Sequence, residues 1–374
     1  MEKLNLCVPC LFGLEGLVGN ELRRMDVEAV MPENGRVRFQ GDKAAVARVN
    51  LRSRFGERVL IELGRFRADT FDRLFEGTKA LPWEDFVPVD GAFPVKGYSL
   101  ESVLHSIPDC QKIVKKAVVE RLKRRYRVQW FSEKGAKYQI QFAIMHDEAV
   151  LYLDTTGVGL HKRGYRPAHL TAPVRETLAA ACVDIAGYRG KGDFCDPFCG
   201  SGTLAIEAAL AAKGRAPGIN RSFAAEQWDA FPKAIWDAER AAARAREFHG
   251  DYHIYASDID PEAVEIAKKN ARRAGVEELI TFSVADACAF SLETARGVIV
   301  TNPPYGERLL EKQEAEELYR VFGAAYRNAK NWSLYLLSSH TEFERAFGRP
   351  ADKKRKLYNG MIKCDLFQYK TKEG

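Results

Sequence analysis

The sequence predicts an α/β protein with a doubly wound parallel sheet in its second part and an α+β portion before it. Two observations carry this prediction. From about residue 171, apolar strand patterns alternate with amphipathic helix patterns, which is typical of parallel sheets with crossover helices. Before about residue 155, short alternating strands mix with amphipathic helices in no such order. The polar stretch GVGLHKRGYRPAHLTAP, residues 157–173, marks the change between the two patterns.

Composition is that of an ordinary globular protein of 374 residues, with 57 Lys and Arg against 51 Asp and Glu. No apolar run approaches the roughly 20 residues that span a bilayer. The first residues lack the basic, apolar and small-residue regions of a signal peptide. We therefore expect a cytoplasmic protein that does not cross a membrane. No oligomeric state is predicted.

The eight cysteines are scattered along the chain. Cys7 and Cys10 form a C-x-x-C, which has two interpretations: a zinc or redox site, or two partly buried thiols near a strand end. No second ligand pair follows at the spacing of a zinc site, which favours the thiols, and we expect no metal. Cys195 and Cys199 flank a glycine turn and are interpreted as reduced packing residues.

Basic residues concentrate between Lys112 and Lys137, in a predicted helix and the segment after it. A phosphate backbone is one natural partner for such a stripe, and a solvated helix face is the other interpretation. The aromatic residues Tyr126, Trp130 and Phe131 are interleaved with the charges. The candidate RNA-binding residues of this stripe are Lys115, Lys116, Lys123, Arg124 and Arg125.

A second basic segment, HKRGYR, lies at residues 161–166. Lys162, Arg163 and Arg166 are candidates for a clamp on a cofactor or on RNA, and an exposed basic linker is the alternative.

Three strands of the predicted parallel sheet end in polar residues: Asp196, then Asp258, then Asp286. Because ligands bind beyond the carboxyl ends of parallel strands, these residues are expected to converge on one crevice. A glycine turn, DPFCGSGT, follows the first strand and enters a helix. Its candidate cofactor-binding residues are Asp196, Pro197, Cys199, Gly200, Ser201, Gly202 and Thr203.

A dinucleotide pyrophosphate could use a turn of this kind, but Asp196 would repel it and suits a cationic ligand. A carboxylate there would attract the ammonium or sulfonium end of S-adenosylmethionine (SAM). Asp258 is placed for the ribose hydroxyls, with Ile259 beside the adenine. Asp286, followed by Ala287, is placed for the adenine amino group.

The fourth strand, GVIV, runs into TNPPYGER, where two prolines must end the ladder. Asn302 and Pro303 offer two oxygens that could accept the N–H bonds of an exocyclic base amine, and Asn302 also borders the cofactor. Pro303 and Pro304 would hold these acceptors in place beforehand. Tyr305 would stack on a base taken out of its own stack. A proline-stiffened turn is the structural alternative.

Residues 214–250 interrupt the alternation of strands and helices. This insertion contains several aromatic residues and is predicted to form one or two extra helices packed beside the sheet. Its function is not indicated by the sequence.

The motifs together resemble a known family, the THUMP-domain guanine-N2 RNA methyltransferases, which include the N-terminal half of the bacterial large-subunit 23S rRNA methyltransferase. The resemblance covers essentially the whole chain. The segments that carry it are LFGLEGLVGNELRRM, LHKRGYR, APVRETLAAA, DPFCGSGTLAIEAA, SDIDPEAVEIAKKNA, TNPPYGERL and LYNGMIKC. That rRNA enzyme carries a second methyltransferase half, which this sequence does not include.

The resemblance implies a Rossmann-like class I methyltransferase domain preceded by α+β ferredoxin-like and THUMP domains. The implied divisions are 1–45 for the ferredoxin-like element, 46–155 for THUMP, 156–170 for a linker and 171–374 for the methyltransferase. The implied activity is SAM-dependent methylation of guanine N2 in structured RNA, expected to be rRNA. An N6-adenine DNA methyltransferase, which shares N-P-P-Y, and a non-catalytic RNA-binding protein remain as alternatives.

Overall fold

The computed structural model describes residues 3–166, 174–289, 296–305, 312–329 and 331–371. The chain divides into two compact units. Unit 1 comprises residues 1–10, 18–160 and 221–242, and unit 2 comprises residues 11–17, 161–220 and 243–374. The last four residues of the predicted linker, 167–170, and the predicted domain start at residue 171 fall in 167–173, outside the described residues.

The described part of the chain contains fourteen strands and ten α-helices. The strands are β1 Leu4–Pro9, β2 Glu28–Glu33, β3 Arg36–Gly41, β4 Leu60–Arg67, β5 Val95–Leu100, β6 Gln139–Met145, β7 Glu148–Asp154, β8 Asp193–Asp196, β9 Ile254–Asp258, β10 Ile280–Val284, β11 Gly297–Thr301, β12 Trp332–Ser338, β13 Lys353–Asn359 and β14 Ile362–Tyr369. The helices are α1 Glu15–Arg23, α2 Lys43–Arg52, α3 Phe71–Ala80, α4 Ile107–Tyr126, α5 Glu176–Ile185, α6 Thr203–Ala212, α7 Lys233–Arg244, α8 Pro261–Ala274, α9 Lys312–Tyr326 and α10 Phe343–Phe347.

Unit 1 is built on one seven-stranded sheet in the order β2-β3-β1-β4-β7-β6-β5. Its pairings are antiparallel except for β5 with β6. A buried polar network connects α2 to the segment that follows β7. Asn50 of α2 donates to Thr155 Oγ1 at 2.9 Å and accepts from Thr156 Oγ1 at 2.6 Å. Because α2 runs from Lys43 to Arg52, a division after residue 45 would cut through this helix.

The central part of the insertion, residues 221–242, packs in unit 1 and not in unit 2, where the sequence placed it; residues 214–220 and 243–250 belong to unit 2. The Trp228 indole stacks on Tyr138 with ring centroids 4.7 Å apart, and its Nε1 donates to the Lys137 carbonyl at 2.9 Å. Glu239 of α7 binds Arg48 of α2 at 2.8 Å. The expectation of a helix is confirmed by α7, but its packing partner is different, because aromatic anchors in a sequence do not specify which sheet they cover.

Unit 2 contains the second seven-stranded sheet, in the order β10-β9-β8-β11-β12-β14-β13. The five strands from β10 to β12 are parallel, and the hairpin β13–β14 adds antiparallel strands at one side. This is the predicted doubly wound sheet, with the predicted hairpin turning at Asn359–Gly360. Gly360 has φ +67°, a conformation that side chains with a Cβ rarely adopt.

Capping residues and side-chain size determine where α6 and α8, the helices that follow β8 and β9, begin, end and pack. The Asp260 carboxylate caps α8 by accepting from the Glu262 N–H at 2.8 Å, and Pro261 opens the helix. Gly275 ends α8 in the left-handed conformation. At α6 the alanine-rich sequence leaves nine of ten residues buried, so this helix packs tightly under the sheet. Among the described residues, no helix is long and apolar enough to cross a membrane.

Candidate active site

The carboxyl ends of β9, β8 and β11 lie side by side at one edge of the unit 2 sheet. Two hydrogen bonds connect these ends directly. The Gly200 N–H donates to Asp258 Oδ2 at 2.8 Å, and the Thr301 hydroxyl donates to Asp196 Oδ1 at 2.7 Å. The three strand ends therefore form one continuous polar rim, as expected for open parallel sheets.

Asp196 is the most deeply buried carboxyl of this rim, with 1% of its surface exposed. Burial raises its pKa from 3.8 to about 7, and the neighbouring Asp258 carboxylate adds to the rise. The Thr301 hydroxyl and the Phe198 N–H, at 3.4 Å, oppose it by donating to the charged form. A buried carboxyl beside a second acid is a site that a cation would stabilise.

The glycine turn after β8 has the backbone that the motif predicted. Gly200 has φ +48° and Gly202 has φ +81°. A Cβ at Gly202 would lie 2.9 Å from the Ala267 Cβ, so this glycine allows α6 to approach α8 closely. A Cβ at Gly200 would meet nothing within 4 Å, which leaves space for a ligand against the backbone. Pro197, Cys199 and Thr203 are buried, and Ser201 is half-buried.

Asp258 is the last residue of β9, and Asp286 follows β10, the neighbouring strand of the sheet. Asp258 accepts from two backbone N–H groups, those of Gly200 and of Asp260 at 3.1 Å, and it keeps further lone pairs for hydroxyl donors. Asp286 is exposed and accepts from the Cys288 N–H at 2.8 Å. Ile259 is 70% exposed beside Asp258, whereas Ala287 is buried.

Asn302, Pro303, Pro304 and Tyr305 follow β11 at the same edge. The Tyr305 hydroxyl donates to Asn302 Oδ1, and the Tyr319 hydroxyl of α9 donates to the Pro304 carbonyl at 2.6 Å. Both bonds hold the turn in one conformation. Burial, together with the neighbouring thiols of Cys364 and Cys182, raises the pKa of Tyr305. Through its hydroxyl, Tyr305 orients Asn302 in this structure. Its ring is half-buried, and stacking on a base stays a prediction.

Three residues of the site were missed by sequence reasoning. Thr301 binds Asp196, Tyr319 fixes Pro304, and Val284 is a 57% exposed apolar side chain at the end of β10. Thr301 and Val284 occupy strand-end positions, so the rule that identified Asp258 could have found them. Tyr319 lies on α9 and carries no comparable sequence signal.

The HKRGYR segment takes up two different environments. Arg163 is buried, with Nε 3.4 Å from Glu207 Oε1, and Tyr165 donates to the same carboxylate at 3.1 Å. Arg166 binds Glu176 at 2.5 Å and donates to Thr203 Oγ1 at 3.3 Å. Lys162 is exposed. The prediction that Arg163 contacts RNA does not fit this placement, because its guanidinium lies in the interior of unit 2.

The basic stripe on α4 is only partly available to a partner. Lys115 binds Glu133 at 2.6 Å and lies 3.6 Å from the centre of the Phe93 ring. Lys116, Arg124 and Arg125 are exposed, and Lys123 is half-buried with Glu120 at 4.0 Å. Of the interleaved aromatic residues, Trp130 is 72% exposed, whereas Phe131 is buried and Tyr126 is half-buried.

Cys7 and Cys10 are both buried free thiols. Burial raises the pKa of Cys7 to about 12, which disfavours the thiolate that metal binding needs. In the described part of the chain, no group of three or more His, Cys, Asp or Glu side chains is placed to hold a metal ion.

The parallel sheet, the open glycine turn and the acidic rim fit a nucleoside cofactor with a cationic end, which is the arrangement of a Rossmann-like methyltransferase domain. Comparison with known families agrees. Residues 163–368 match the family described as RMKL-like, methyltransferase domain. Residues 5–60 match the RlmL ferredoxin-like domain, and residues 68–154 match the THUMP domain. The chain belongs to this RMKL-like methyltransferase family, with ferredoxin-like and THUMP domains before the methyltransferase domain.

Two curated relatives are similar over almost the whole chain. A Bacillus subtilis (strain 168) protein named "Putative RNA methyltransferase YpsC" is 45% identical over 100% of this chain and 97% of its own length. The "Ribosomal RNA large subunit methyltransferase K/L" of Psychromonas ingrahamii is 36% identical over 98% of this chain. The chain spans only 50% of that longer relative.

Two solved structures have the same fold throughout. A protein of Listeria monocytogenes described as "a predicted N6-adenine-specific DNA methylase" is 46% identical, with a TM-score of 0.95 over 100% of this chain and 97% of that chain. The structure of SMU.472, "a putative methyltransferase complexed with SAH", is 39% identical, with a TM-score of 0.94 over 100% of both chains.

Proposed function

We propose that this protein is a SAM-dependent methyltransferase that modifies the exocyclic N2 amine of a guanine in structured RNA, and that the RNA is rRNA. The observation that carries the proposal is the Asn302–Tyr305 turn at the end of β11, adjacent to the buried Asp196 on β8. The THUMP match and the names of the two curated relatives support RNA as the substrate class. The choice of guanine N2 rests on the family resemblance of the sequence.

Each acidic residue of the rim would bind a different part of the cofactor. SAM supplies an electrophilic methyl group when it is bound. Asp196 would pair with its cationic end, Asp258 would accept from the ribose hydroxyls, and Asp286 would accept from the adenine amino group. Ile259 directly follows Asp258, and Val284 lies opposite Asp258 in the register of β10 with β9; both present exposed apolar surface, which suits the adenine ring.

The acceptor amine needs its lone pair freed from the ring to which it is attached. Asn302 Oδ1 has two lone pairs, and the Tyr305 hydroxyl uses one of them, so one remains for a substrate N–H. The Pro303 carbonyl would accept the second N–H. Because the bonds from Tyr305 and Tyr319 fix the turn before substrate arrives, no reorganisation is needed when the amine binds.

Replacing Asn302 by Ala tests the catalytic assignment. We expect SAM binding, measured by calorimetry, to change little and single-turnover methyl transfer to fall roughly 10²–10³-fold, as for loss of one preorganised hydrogen-bonding group. Asn302→Asp is the matched control, since it keeps an acceptor oxygen at the same position. Near-normal turnover by Asn302→Ala would refute the role of Asn302.

Mass spectrometry of the methylated nucleoside tests the substrate. Labelled SAM would be incubated with the full chain and either unmodified rRNA transcripts or duplex DNA. The proposal predicts N2-methylguanosine in RNA. N6-methyladenine in DNA would overturn it in favour of the DNA alternative, and no transfer despite SAM binding would indicate a non-catalytic RNA-binding protein.

Asp196 gives the cofactor site a pH dependence with a definite sign. Its carboxyl is protonated below about pH 7 in the unbound protein. A cationic ligand selects the carboxylate, so SAM affinity should rise roughly tenfold per pH unit up to about pH 7, with release of one proton. Calorimetry in buffers of different ionisation enthalpy measures that proton. Asp196→Asn should bind weakly and without this pH dependence, whereas the exposed Asp286→Asn should retain it.

The raised pKa of Asp196 also makes folding stability depend on pH, and this dependence has the opposite sign to that of SAM affinity. The folded pKa of Asp196 lies above its unfolded value of 3.8, so its contribution to stability is complete below that value and is lost as the pH rises through about 7.

A further inference from the structure

The hairpin β13–β14 of unit 2 carries a concentration of positive charge that the active site does not use. Residues 353–363 read KKRKLYNGMIK, with five basic residues and no acidic one. Lys353, Lys356 and Lys363 are exposed, and within the described residues none of these three forms an ion pair. Lys354 is engaged by Glu344 at 2.6 Å, and Asp365 lies opposite Lys356 in the strand register.

An aromatic pair lies on the same strand. The Phe12 ring meets Tyr358 edge to face, with centroids 6.2 Å apart, although Phe12 precedes β13 by more than three hundred residues in sequence. Phe12 is 58% exposed, and Tyr358 is half-buried. In the register of the hairpin, Tyr358 lies opposite Lys363, so a ring and a cation share one face of the sheet.

The segment that presents Phe12 is held firmly in unit 2. The Gly13 carbonyl accepts from Arg355 Nη2 at 2.6 Å, and the Gly13 N–H donates to Glu15 Oε2 at 2.9 Å. Gly13 has φ +88°, and a Cβ there would lie 3.0 Å from the Lys356 carbonyl. Leu14 is fully buried next to it. Phe12 is therefore an exposed ring on a fixed turn, which loses little conformational freedom on binding.

This chemistry fits a single-stranded stretch of RNA. Bases stack on exposed aromatic rings without sequence preference, and nearby lysines neutralise the phosphates. The hairpin borders the acceptor turn, because Cys364 on β14 is a neighbour of Tyr305; Cys364 and its partner Leu357 face the opposite side of the sheet from Tyr358 and Lys363. A nucleotide bound on the face of Tyr358 and Lys363 would belong to a single-stranded segment of the RNA substrate.

We infer that Phe12, Tyr358, Lys356 and Lys363 form a second RNA-contacting surface, the hairpin surface, which holds unpaired nucleotides of the RNA substrate. This inference rests on the proposed function, because it assumes an RNA substrate. The competing explanation is edge protection: β13 is the last strand of its sheet, and lysines on such a strand prevent pairing with another chain. Edge protection gives Phe12 no role.

The test measures RNA binding by the full chain with two fluorescent probes, a single strand of about 15 nucleotides and a blunt duplex of the same sequence. Phe12→Ala should weaken single-strand binding roughly 5–150-fold, the range for loss of one stacked base, and change duplex binding less than about twofold. Phe12→Tyr should restore it. The matched control is Phe248→Ala, which removes a 66% exposed Phe of the same unit outside the hairpin.

The lysines are tested separately through salt dependence. The Lys356→Gln, Lys363→Gln double variant should lower the slope of log affinity against log salt for the single strand by about 1.4, or 0.7 per phosphate contact. Unchanged single-strand binding by Phe12→Ala would overturn the inference and leave edge protection as the explanation.

Methyl transfer by the wild-type chain distinguishes failure of the hairpin surface from failure of the proposed function. If the wild type methylates RNA and Phe12→Ala does so with the same KM, the hairpin surface fails and the proposed function stands. If the wild type neither binds nor methylates RNA, both fail.

Discussion

Two basic segments that look alike in sequence differ completely in the structure. HKRGYR places Arg163 and Arg166 against Glu207 and Glu176 inside unit 2. The α4 stripe presents Lys116, Arg124 and Arg125 to solvent on unit 1. Both segments were predicted as candidate RNA contacts. The two arginines of HKRGYR lack the exposure for that role, whereas Lys116, Arg124 and Arg125 have it.

The difference arises from acidic partners that a charge count along the chain does not reveal. Glu207 lies on α6, where an alanine-rich pattern gives no sign that one carboxylate faces a buried arginine. Burial of both partners is tolerated because each offsets the desolvation of the other. A basic run therefore predicts a nucleic-acid surface only where no buried acid is positioned to receive it.

The largest expected effect is a loss of folding stability when Arg163, the buried arginine of HKRGYR, is replaced. Arg163→Met should lower the free energy of unfolding by about 3–5 kcal/mol, because it leaves the Glu207 carboxylate buried without its cation. Urea unfolding of the full chain measures this. Arg124→Met, which removes an exposed arginine, is the matched control and should stay within about 0.5 kcal/mol of wild type.

The double variant Arg163→Met, Glu207→Met sharpens the assignment. It should recover most of the loss, since apolar residues of similar volume can replace a buried pair. If Arg163→Met unfolds like Arg124→Met, the contrast between the two segments is wrong.

A smaller effect, on RNA affinity alone, is expected for the exposed stripe. Replacing Lys123, Arg124 and Arg125 together by Gln should weaken binding to duplex RNA and reduce the magnitude of the salt slope by up to about 2.7, or 0.9 per phosphate contact, a value for B-form duplexes. The unfolding transition should not move, because these side chains make few internal contacts. An unchanged salt slope would mean that the stripe is a solvated helix face.

Much of unit 2 was predictable because its signals are local. The caps of α8, the glycine turn and the hairpin at Gly360 each depend on residues within a few positions of one another. The rim of Asp196, Asp258 and Asp286 followed from a single rule about parallel strands. Membership of the RMKL-like methyltransferase family agrees with the predicted fold class.

The predictions that did not fit the structure depend on contacts between distant segments. Trp228 covers Tyr138, 90 positions before it, and Arg163 is buried against Glu207, 44 positions after it. The bond from the Tyr305 hydroxyl to Asn302 was not predicted either, and the stacking of Tyr305 on a base stays a prediction. Periodicity shows which side of an element is apolar and does not show what covers it.

The smallest expected effect is at Lys115, which belongs to the stripe in the sequence but is half-buried and bound by Glu133 in the structure. Its ammonium lies over the Phe93 ring and binds both Glu133 and the Phe93 carbonyl. Partial burial lowers the pKa of Lys115, although Glu133 opposes that shift. Lys115→Gln should cost about 1 kcal/mol of stability through the lost cation–π contact and ion pair, and change RNA affinity less than about twofold. Its exposed neighbour Lys116, whose Nζ lies 5.7 Å from the centre of the Phe75 ring, gives the comparison: Lys116→Gln should cost less stability than Lys115→Gln and weaken RNA binding measurably. Equal losses of RNA affinity in the two variants would show that Lys115 leaves Glu133 to contact phosphate, and that burial in the unbound protein does not separate structural lysines from binding ones.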